Sequence, residues 1–475
     1  MRKRIWFSME EFSTLDLSLK WLEQRFKRTM ESFAGLLDKS IWLCNENRAE
    51  AKAIYRLLSN DGLDREEILR THQEATVRRI IQTRKTILAV QDTTSLNYNN
   101  QTKMDGIGYI CENALGVNIH STLAVTTDGL VLGVLAQSSY NRMQPSNNTL
   151  THDSKKFRAL ADKESYRWVQ ALGESAEVLP EGIKVVTVCD REGDMYELFD
   201  EADRKSRSFL IRIAQNRRTI DNQKILDEIR EKPCNGRVKT LIPRDSRKGL
   251  KERAAVFQIR YDSFEIKRPD RLNKNNKLKG AQEVNIIYVR EEQQDKAVEP
   301  VEWFLMTNEK IEGVEDAYEK AVWYMQRWKI EQFHYVLKSG CAVEKLQERS
   351  MDKTTLLVLM YSIIATFIMN ITYIARIHPQ FPCTVCFDEE EWKVLYCTAN
   401  KTKKPPEKPY TIAEAVTYLS WLGGPKRAPS DGPPGVKTIW IGLEKLNTLL
   451  AYNVFQKVVH RLYHRAVLVV NLAGG

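Results

Sequence analysis

The sequence predicts an α/β protein flanked by helical segments, on three observations. Two short apolar runs, Thr86–Val90 and Ile183–Val188, have the length of buried strands, and each is followed within two residues by an aspartate. Between residues 86 and 213 such runs alternate with stretches of helical period. Before residue 65 and after residue 310 the helical period dominates.

Taken in order, residues 10–60 read as helices, with Leu19, Leu22 and Phe26 at helical spacing. A second run, Ala49–Leu58, stops at the turn cluster Ser59-Asn60-Asp61-Gly62. Asp64 is placed to cap a third helix that runs on through Arg79. Thr86–Val90 follows as a strand ending at Asp92. Val117–Thr126 and Leu130–Ala136 read as a hairpin closed by Thr127-Asp128-Gly129. Ser154–Ala171 reads as helix, Ile183–Val188 as a buried strand ending at Asp190, 194–204 as helix and Phe209–Ile213 as strand.

Residues of about 215–310 break the alternation and read as a β-rich insertion. They hold strand-like pieces (Ala255–Ile259, Glu283–Val289, Glu302–Met306) and a basic loop region, Arg244–Lys279. One long helix is expected over 314–338. A second, Thr354–Ala375, is uncharged but carries Thr355, Ser362, Thr366, Asn370 and Thr372, so it reads as a buried core helix rather than a membrane span. Residues 400–408 look like a linker, and Gly423–Gly435 separates the final helices.

Length and charge bound the class. At 475 residues the chain exceeds one ordinary core, so two or three domains are expected. Lys plus Arg is 72 against 62 for Asp plus Glu, a net charge of +10. That excess suits a polyanion, and alone it does not choose between DNA, RNA and an anionic membrane. Trp6-Phe7-Ser8 runs straight into Glu10 and Glu11 without an apolar region, so no secretory signal is read. Eight scattered cysteines then imply reduced thiols and a cytoplasmic setting. Cys383-x-x-Cys386, with Cys397 beyond, lacks a fourth ligand at zinc spacing, and His460 and His464 read as surface residues. There is no Walker-type glycine loop, so no nucleotide cofactor is expected.

The residues able to carry chemistry are two aspartates and a helix. In open α/β sheets, catalytic groups collect at strand ends. Parallel neighbouring strands would set Asp92 and Asp190 side by side, a hard-oxygen pair suited to Mg²⁺ or Mn²⁺. On the helix 314–338, Tyr324, Arg327, Glu331 and Lys338 fall within one arc of roughly 60° at about 100° per residue. The opposite face carries Val322, Met325, Ile330, Phe333, Val336 and Leu337. Strand-terminal aspartates also arise by chance among 62 acidic residues, and a mixed charged helix face is commonly just solvated. The residues alone therefore leave open a metal site or an ordinary surface.

Tyr324-x2-Arg327-x3-Glu331-x6-Lys338 resembles the YREK signature of bacterial insertion-sequence cut-and-paste transposases of the Asp-Asp-Glu class. Gln91-Asp92-Thr93-Thr94-Ser95-Leu96 is similar to the family's first-aspartate block. Val188-Cys189-Asp190-Arg191-Glu192-Gly193-Asp194 is similar to its second, and the 140 residues from Asp190 to Glu331 match its β-strand insertion. Ala49–Arg56 resembles the DNA-end-binding helix. Trp421-Leu422-Gly423-Gly424 and Ile439–Leu443 resemble the C-terminal domain. Near the start, where the family often carries paired arginines after Gly-Asp, this chain reads Leu15-Asp16-Leu17-Ser18-Leu19-Lys20-Trp21.

The resemblance implies a ribonuclease-H-like core with Asp92, Asp190 and Glu331 as catalytic metal ligands for Mg²⁺, with Mn²⁺ as a substitute. It implies phosphate contacts from Tyr324, Arg327, Lys338 and Arg212. Trp303 would stack a flipped base or serve as a core tryptophan; Tyr55 and Arg56 would contact DNA or form a helical core–surface pair. Three domains follow: residues 1–65 for DNA-end binding, 66–376 for catalysis and 377–475 for dimerisation. The implied partners are transposon-end and target DNA and a second copy of the chain in the DNA complex, with no membrane. The implied setting is the bacterial cytoplasm at the nucleoid. The implied reaction is nicking, hairpin formation, hairpin opening and 3′-hydroxyl strand transfer. A nuclease with the same core would cut without hairpins or joining. A non-catalytic relative fits less well because all three carboxylates and the full helix signature are present, and no aromatic pair supports an RNA-binding module.

Overall fold

The computed structural model describes residues 10–35, 48–142, 164–242, 252–272, 278–292, 299–425 and 432–452. Three helices come first: α1 (Lys20–Gly35), α2 (Arg48–Leu58) and α3 (Arg65–Thr83). In α1, Leu22, Phe26, Met30 and Phe33 recur every three to four residues and all are buried. Leu19, expected on the same stripe, precedes the helix and is 49% exposed. Asp64 caps α3 by accepting the Glu66 N–H at 2.9 Å.

The centre is one mixed sheet of ten strands. β1 (Ile87–Asn97), β2 (Gly108–Cys111), β3 (Ala114–Thr126) and β4 (Val131–Tyr140) come before α4 (Tyr166–Val178). The turn between β3 and β4 places Gly129 at φ +95°, where a side chain would be strained. Residues 154–163 of the expected helix Ser154–Ala171 lie outside the described residues. β5 (Val185–Cys189), α5 (Tyr196–Arg204) and β6 (Ser208–Arg212) follow. Then come α6 (Ile225–Glu231), β7 (Gly236–Ile242), β8 (Arg253–Lys267), β9 (Ala281–Glu291) and β10 (Glu302–Thr307).

The main path of the sheet runs β2-β3-β1-β5-β6-β10-β9-β8-β7, and β4 pairs with β3. β3 is antiparallel to β1 and β4, β5 is parallel to β1 and β6, and the remaining pairs are antiparallel. The strands after residue 235 therefore extend the same sheet, because β10 returns to pair with β6 at Leu305↔Arg212. β8 is far longer than the apolar piece Ala255–Ile259; two thirds of its residues are partly or fully exposed, so its hydrophobic signal is weak.

A free strand edge needs its polar groups satisfied. Helix α3 does this for β4. Arg65, Gln73 and Arg79 donate to the carbonyls of Gln137, Leu135 and Leu132 at 2.9, 2.6 and 2.7 Å, and the Val134 N–H donates to His72 Nε2 at 2.8 Å. His72 therefore presents its Nδ1 to Glu11, and Arg79 Nη1 lies 2.7 Å from the other oxygen of that carboxylate.

The long helix α9 (Met351–Ile377) is the one described helix long and apolar enough to cross a membrane, and most of it is buried within the protein. It packs on β4 and α3, and Tyr361 stacks on Phe33 of α1 at 5.1 Å between ring centroids. Its hydroxyls are satisfied inside: Ser362, Thr366 and Thr372 donate to the carbonyls of Val358, Ile363 and Ile368. Helices α10 (Glu389–Ala399) and α11 (Ile412–Gly423) follow, both opened by capping boxes. Residues 436–452 are helical, and Asn447 Nδ2 donates to the Gly35 carbonyl at 3.1 Å. His460 and His464, read from the sequence as surface residues, lie outside the described residues.

The single helix expected over 314–338 is broken. α7 (Val314–Met325) and α8 (Trp328–Tyr335) are joined at Gln326-Arg327, and a π-turn (Val336–Gly340) ends the run. At the break, Gln326, Arg327, Lys329 and Ile330 bond three residues back instead of four. That tighter winding rotates the faces. Tyr324, expected on the outer face, is 6% exposed and meets Trp303 edge-on at 5.8 Å, while Met325, expected inside, is 47% exposed.

Glu11 supplies a pH test of this core. Burial works against its charge, but Arg79 and His72 outweigh it and hold the carboxyl down at about 2, against an ordinary 4.5. Its stabilisation is complete above pH 4.5 and is lost as pH falls through about 2. Glu11→Gln is expected to cost about 3 kcal/mol or more at neutral pH. Urea titrations from pH 7 to 2 should show a shallower acid decline in the variant; parallel curves would remove Glu11 as the cause.

Candidate functional site

The site begins where two pairings of β1 end at different places. Ile87–Val90 is fully buried, and there β1 is parallel to β5, ending at Val90↔Val188. Its antiparallel pairing with β3 continues through Asp92↔Ser121 to Asn97↔Gly116. Asp92 is thus inside β1, not at its end as the apolar run suggested. That run marks only the stretch covered on both faces. Asp92 and Asp190 each lie two residues beyond the last parallel pair, so they sit level across the opening fork.

Local bonds aim both carboxylates. The Thr93 N–H donates to Asp92 Oδ1 at 2.8 Å, and the Glu192 N–H donates to Asp190 Oδ1 at 2.8 Å. Asp190 thereby caps the 3₁₀ turn Arg191–Gly193. Gly193 is required there, since a Cβ would lie 2.4 Å from the Cys189 Cβ. Next to it, buried Asp194 accepts from the Ala214 and Gln215 N–H groups at 2.7 and 2.8 Å and pairs with Arg217 Nη2 at 2.5 Å. The turn is therefore pinned to the segment after β6.

Helix α8 packs on β1 and brings Glu331 to the fork. The Arg327 guanidinium stands between the acids, bonded to Glu331 and with Nη1 3.7 Å from Asp92 Oδ2. Burial pushes the Asp92 carboxyl up to about 6, and Asp190 and Glu331 add to the rise against the Thr93 N–H and Arg327. For Arg327, burial opposes the charge, yet Tyr324, Glu331 and Asp92 hold its pKa above the ordinary value. Three acids thus act on one point, with a guanidinium as the local counter-charge.

Among the described residues, no three His, Cys, Asp or Glu side chains are drawn tightly enough to form a ready metal cage. That holds for Cys383 and Cys386 as well, which are buried thiols. The donor chemistry of Asp92, Asp190 and Glu331 nonetheless fits a hard divalent cation: all are carboxylates, and their mutual repulsion is what such an ion relieves.

Other candidate residues are placed as follows. Arg212, at the end of β6, has its pKa lowered by burial and by Arg191 and Arg327, with Tyr324 and Asp190 opposing. Trp303 lies on β10 opposite Val289, partly exposed beside Tyr324. Lys338, in the π-turn, donates to the Ser95 carbonyl at 2.8 Å and so ties that turn to β1. The structure brings Arg212, Tyr324 and Arg327 within electrostatic reach of the carboxylates, with Trp303 against Tyr324. Tyr55 and Arg56 belong elsewhere, on α2: Tyr55 is half-buried with its phenol pKa raised by burial and Glu348, and Arg56 is exposed.

Several neighbours carried no signal in the sequence. Buried His120 on β3 bonds Thr93 Oγ1 at 2.8 Å, and burial, Arg167 and His334 hold its pKa well down. His334, three residues beyond Glu331, is pushed down to about 3 by burial, Lys338 and Arg327. Arg167 on α4 reaches the same point. Each is a lone residue whose role depends on strands far away in the chain.

Comparison with known families places this geometry. Residues 4–63 match the transposase DNA-binding family, 149–367 the transposase DDE domain and 363–459 the transposase Tn5 dimerisation domain. The DDE match includes Asp190 and Glu331 and begins after Asp92. Among solved structures, a cryo-EM structure of the piggyBac transposase synaptic complex with hairpin DNA is similar at 9% identity and a TM-score of 0.36, covering 78% of this chain. This chain spans 66% of that transposase chain, just under two thirds. In succession, the chain carries regions that match a transposase DNA-binding, a transposase DDE and a transposase Tn5 dimerisation domain.

Proposed function

We propose that this chain is a DNA transposase that excises a mobile DNA element through nicked and hairpin intermediates and joins its 3′-hydroxyl ends to target DNA, with Asp92, Asp190 and Glu331 as ligands of Mg²⁺ or Mn²⁺. The observation that carries the reading is the level pair Asp92 and Asp190 at the fork, met by Glu331 from α8, all within electrostatic reach of Asp92. The strand order β4-β3-β1-β5-β6, antiparallel then parallel, supports a ribonuclease-H-like core under the site. On this reading residues 1–65 bind the DNA end and 377–475 dimerise, in the bacterial cytoplasm at the nucleoid.

When bound, divalent metal would activate the attacking oxygen and stabilise the leaving one. The chain's own residues do the rest. Asp92, Asp190 and Glu331 hold position, oriented by the bonds described above. Arg327 carries the counter-charge while DNA is absent and turns to a backbone phosphate when DNA arrives, with Arg212, Lys338 and the Tyr324 phenol as further phosphate contacts. Water attack on one strand frees a 3′-hydroxyl. That hydroxyl attacks the opposite strand and closes a hairpin, and a second water reopens it. Trp303 offers a partly exposed indole for a base leaving the stack at the hairpin. Tyr55 and Arg56 on α2 contact the end further from the cleavage point. Two ends must meet, so the working form is a homodimer on DNA.

A duplex carrying the element's own end, read from sequence flanking the gene, tests the reading with Mg²⁺ and denaturing gels. Asp190→Asn should abolish nicks and hairpins yet keep end binding; normal cleavage by this variant would end the triad assignment. Nicked or linear DNA without hairpins from the unaltered protein would favour a nuclease that cuts without joining. Trp303→Ala should lower hairpin formation more than the first nick, whereas equal loss of both steps would count against base stacking. Lys338→Ala should reduce the slope of log K against log salt by about 1. An unchanged slope would remove Lys338 from the phosphate contacts.

A further inference from the structure

The sheet stops tying Asp92 to Asp190 before it reaches either of them. Their strands share a parallel ladder only as far as Val90↔Val188, and beyond it β1 follows β3 while the chain after β5 turns into Arg191–Gly193. Two carboxylates of like charge at an opening fork repel each other, and the backbone between them is not cross-linked by the ladder.

Arg167 crosses that gap. It projects from the first turn of α4 with its side chain only 11% exposed. Its Nε donates to Thr93 Oγ1 at 3.0 Å, its Nη2 to Glu192 Oε2 at 2.5 Å and its Nη1 to the Glu164 carbonyl at 2.7 Å. The guanidinium also lies against the rings of Tyr140 and Trp168, 5.3 and 5.6 Å from their centroids. The two side chains it clamps are not arbitrary. Thr93 and Glu192 are the residues whose backbone N–H groups hold Asp92 Oδ1 and Asp190 Oδ1, each at 2.8 Å. One planar fork therefore grips both of the residues that aim the two aspartates.

We propose that Arg167 is a positioning residue that sets the separation and orientation of Asp92 and Asp190, and through them the affinity of the site for divalent metal. The proposal rests on the metal-triad reading above. A partner that orients metal ligands without touching the metal typically governs affinity by about 10- to 100-fold. Lysine carries the same charge but cannot fork to two acceptors in a fixed plane, so charge alone should not replace it.

The test uses the full chain bound to its end duplex, with Mn²⁺ as the probe and free Mn²⁺ followed by electron paramagnetic resonance. Arg167→Gln should raise the Mn²⁺ dissociation constant about 10-fold or more, with end binding in metal-free buffer unchanged. Nicking should recover most of its rate at saturating Mn²⁺. Arg167→Lys should recover little of the lost affinity. Glu192→Ala and Thr93→Val each remove one arm of the clamp and keep the backbone N–H. Both should shift Mn²⁺ affinity in the same direction by less, and they carry the test if Arg167→Gln does not fold. A lowered melting temperature with unchanged Mn²⁺ affinity would make Arg167 an ordinary structural residue and overturn the proposal. Asp190→Asn separates the two failures. If it loses Mn²⁺ while the Arg167 variants keep it, only the positioning role falls; if it also keeps Mn²⁺, the triad reading falls and the positioning role falls with it.

Discussion

The mismatch between the two pairings of β1 is the constraint on which the site depends. Four residues of parallel ladder with β5 are followed by seven more of antiparallel ladder with β3 alone. Where one partner leaves and the other stays, backbone groups and side chains open to solvent at the end of an otherwise closed sheet. A catalytic group placed there is anchored on one side and accessible on the other. Asp92 owes its position to the β3 pairing and its accessibility to the loss of β5.

That position has an electrostatic cost. Asp92 is largely buried, Asp190 lies level with it and Glu331 arrives from α8, so burial and like charge both raise the Asp92 carboxyl pKa. The protein offsets this with guanidinium groups: Arg327 stands between Asp92 and Glu331, and Arg212 acts on Asp190. Burial holds the imidazole pKa values of His120 and His334 down, helped by Arg167 and His334 at the first and by Lys338 and Arg327 at the second. The positive charge is thus carried by groups whose charge does not change with pH in the physiological range.

The rest of the molecule packs around the elements that form this fork. Helix α3 satisfies the outer edge of β4, and the buried pair Glu11 and His72, with the half-buried Arg79, joins that helix to the residues before α1. Helix α9 fills the space between the sheet and α1, and the helical residues 436–452 reach back to the end of α1. At the other side Trp440 packs against Tyr335 of α8, with ring centroids 5.5 Å apart. The central sheet, helix α9 and the C-terminal segment therefore bear directly on the helix that carries Glu331, and the N-terminal helices reach it through α9.

By itself the sequence determined the parts whose signal is local. Ile183–Val188 and Thr86–Val90 read as buried strands because apolar runs of that length have few other uses, and the hairpin turn and the caps at Asp64 follow from residue chemistry. Asp92, Asp190 and Glu331 were singled out by the resemblance of their blocks to the transposase signature, because residue type and spacing alone left a metal site or an ordinary surface open. Only the tertiary structure decided what depends on distant partners. It continued β1 past Asp92 because β3 was there to pair with it. It broke the helix 314–338 at Gln326-Arg327 and set Tyr324 inward against Trp303. It joined the strands after residue 235 to the central sheet through β10 and β6. It also set Arg167 against Thr93 and Glu192, 74 and 25 residues away along the chain. Periodicity records which face of an element is covered, but the identity of the covering partner is a property of the fold.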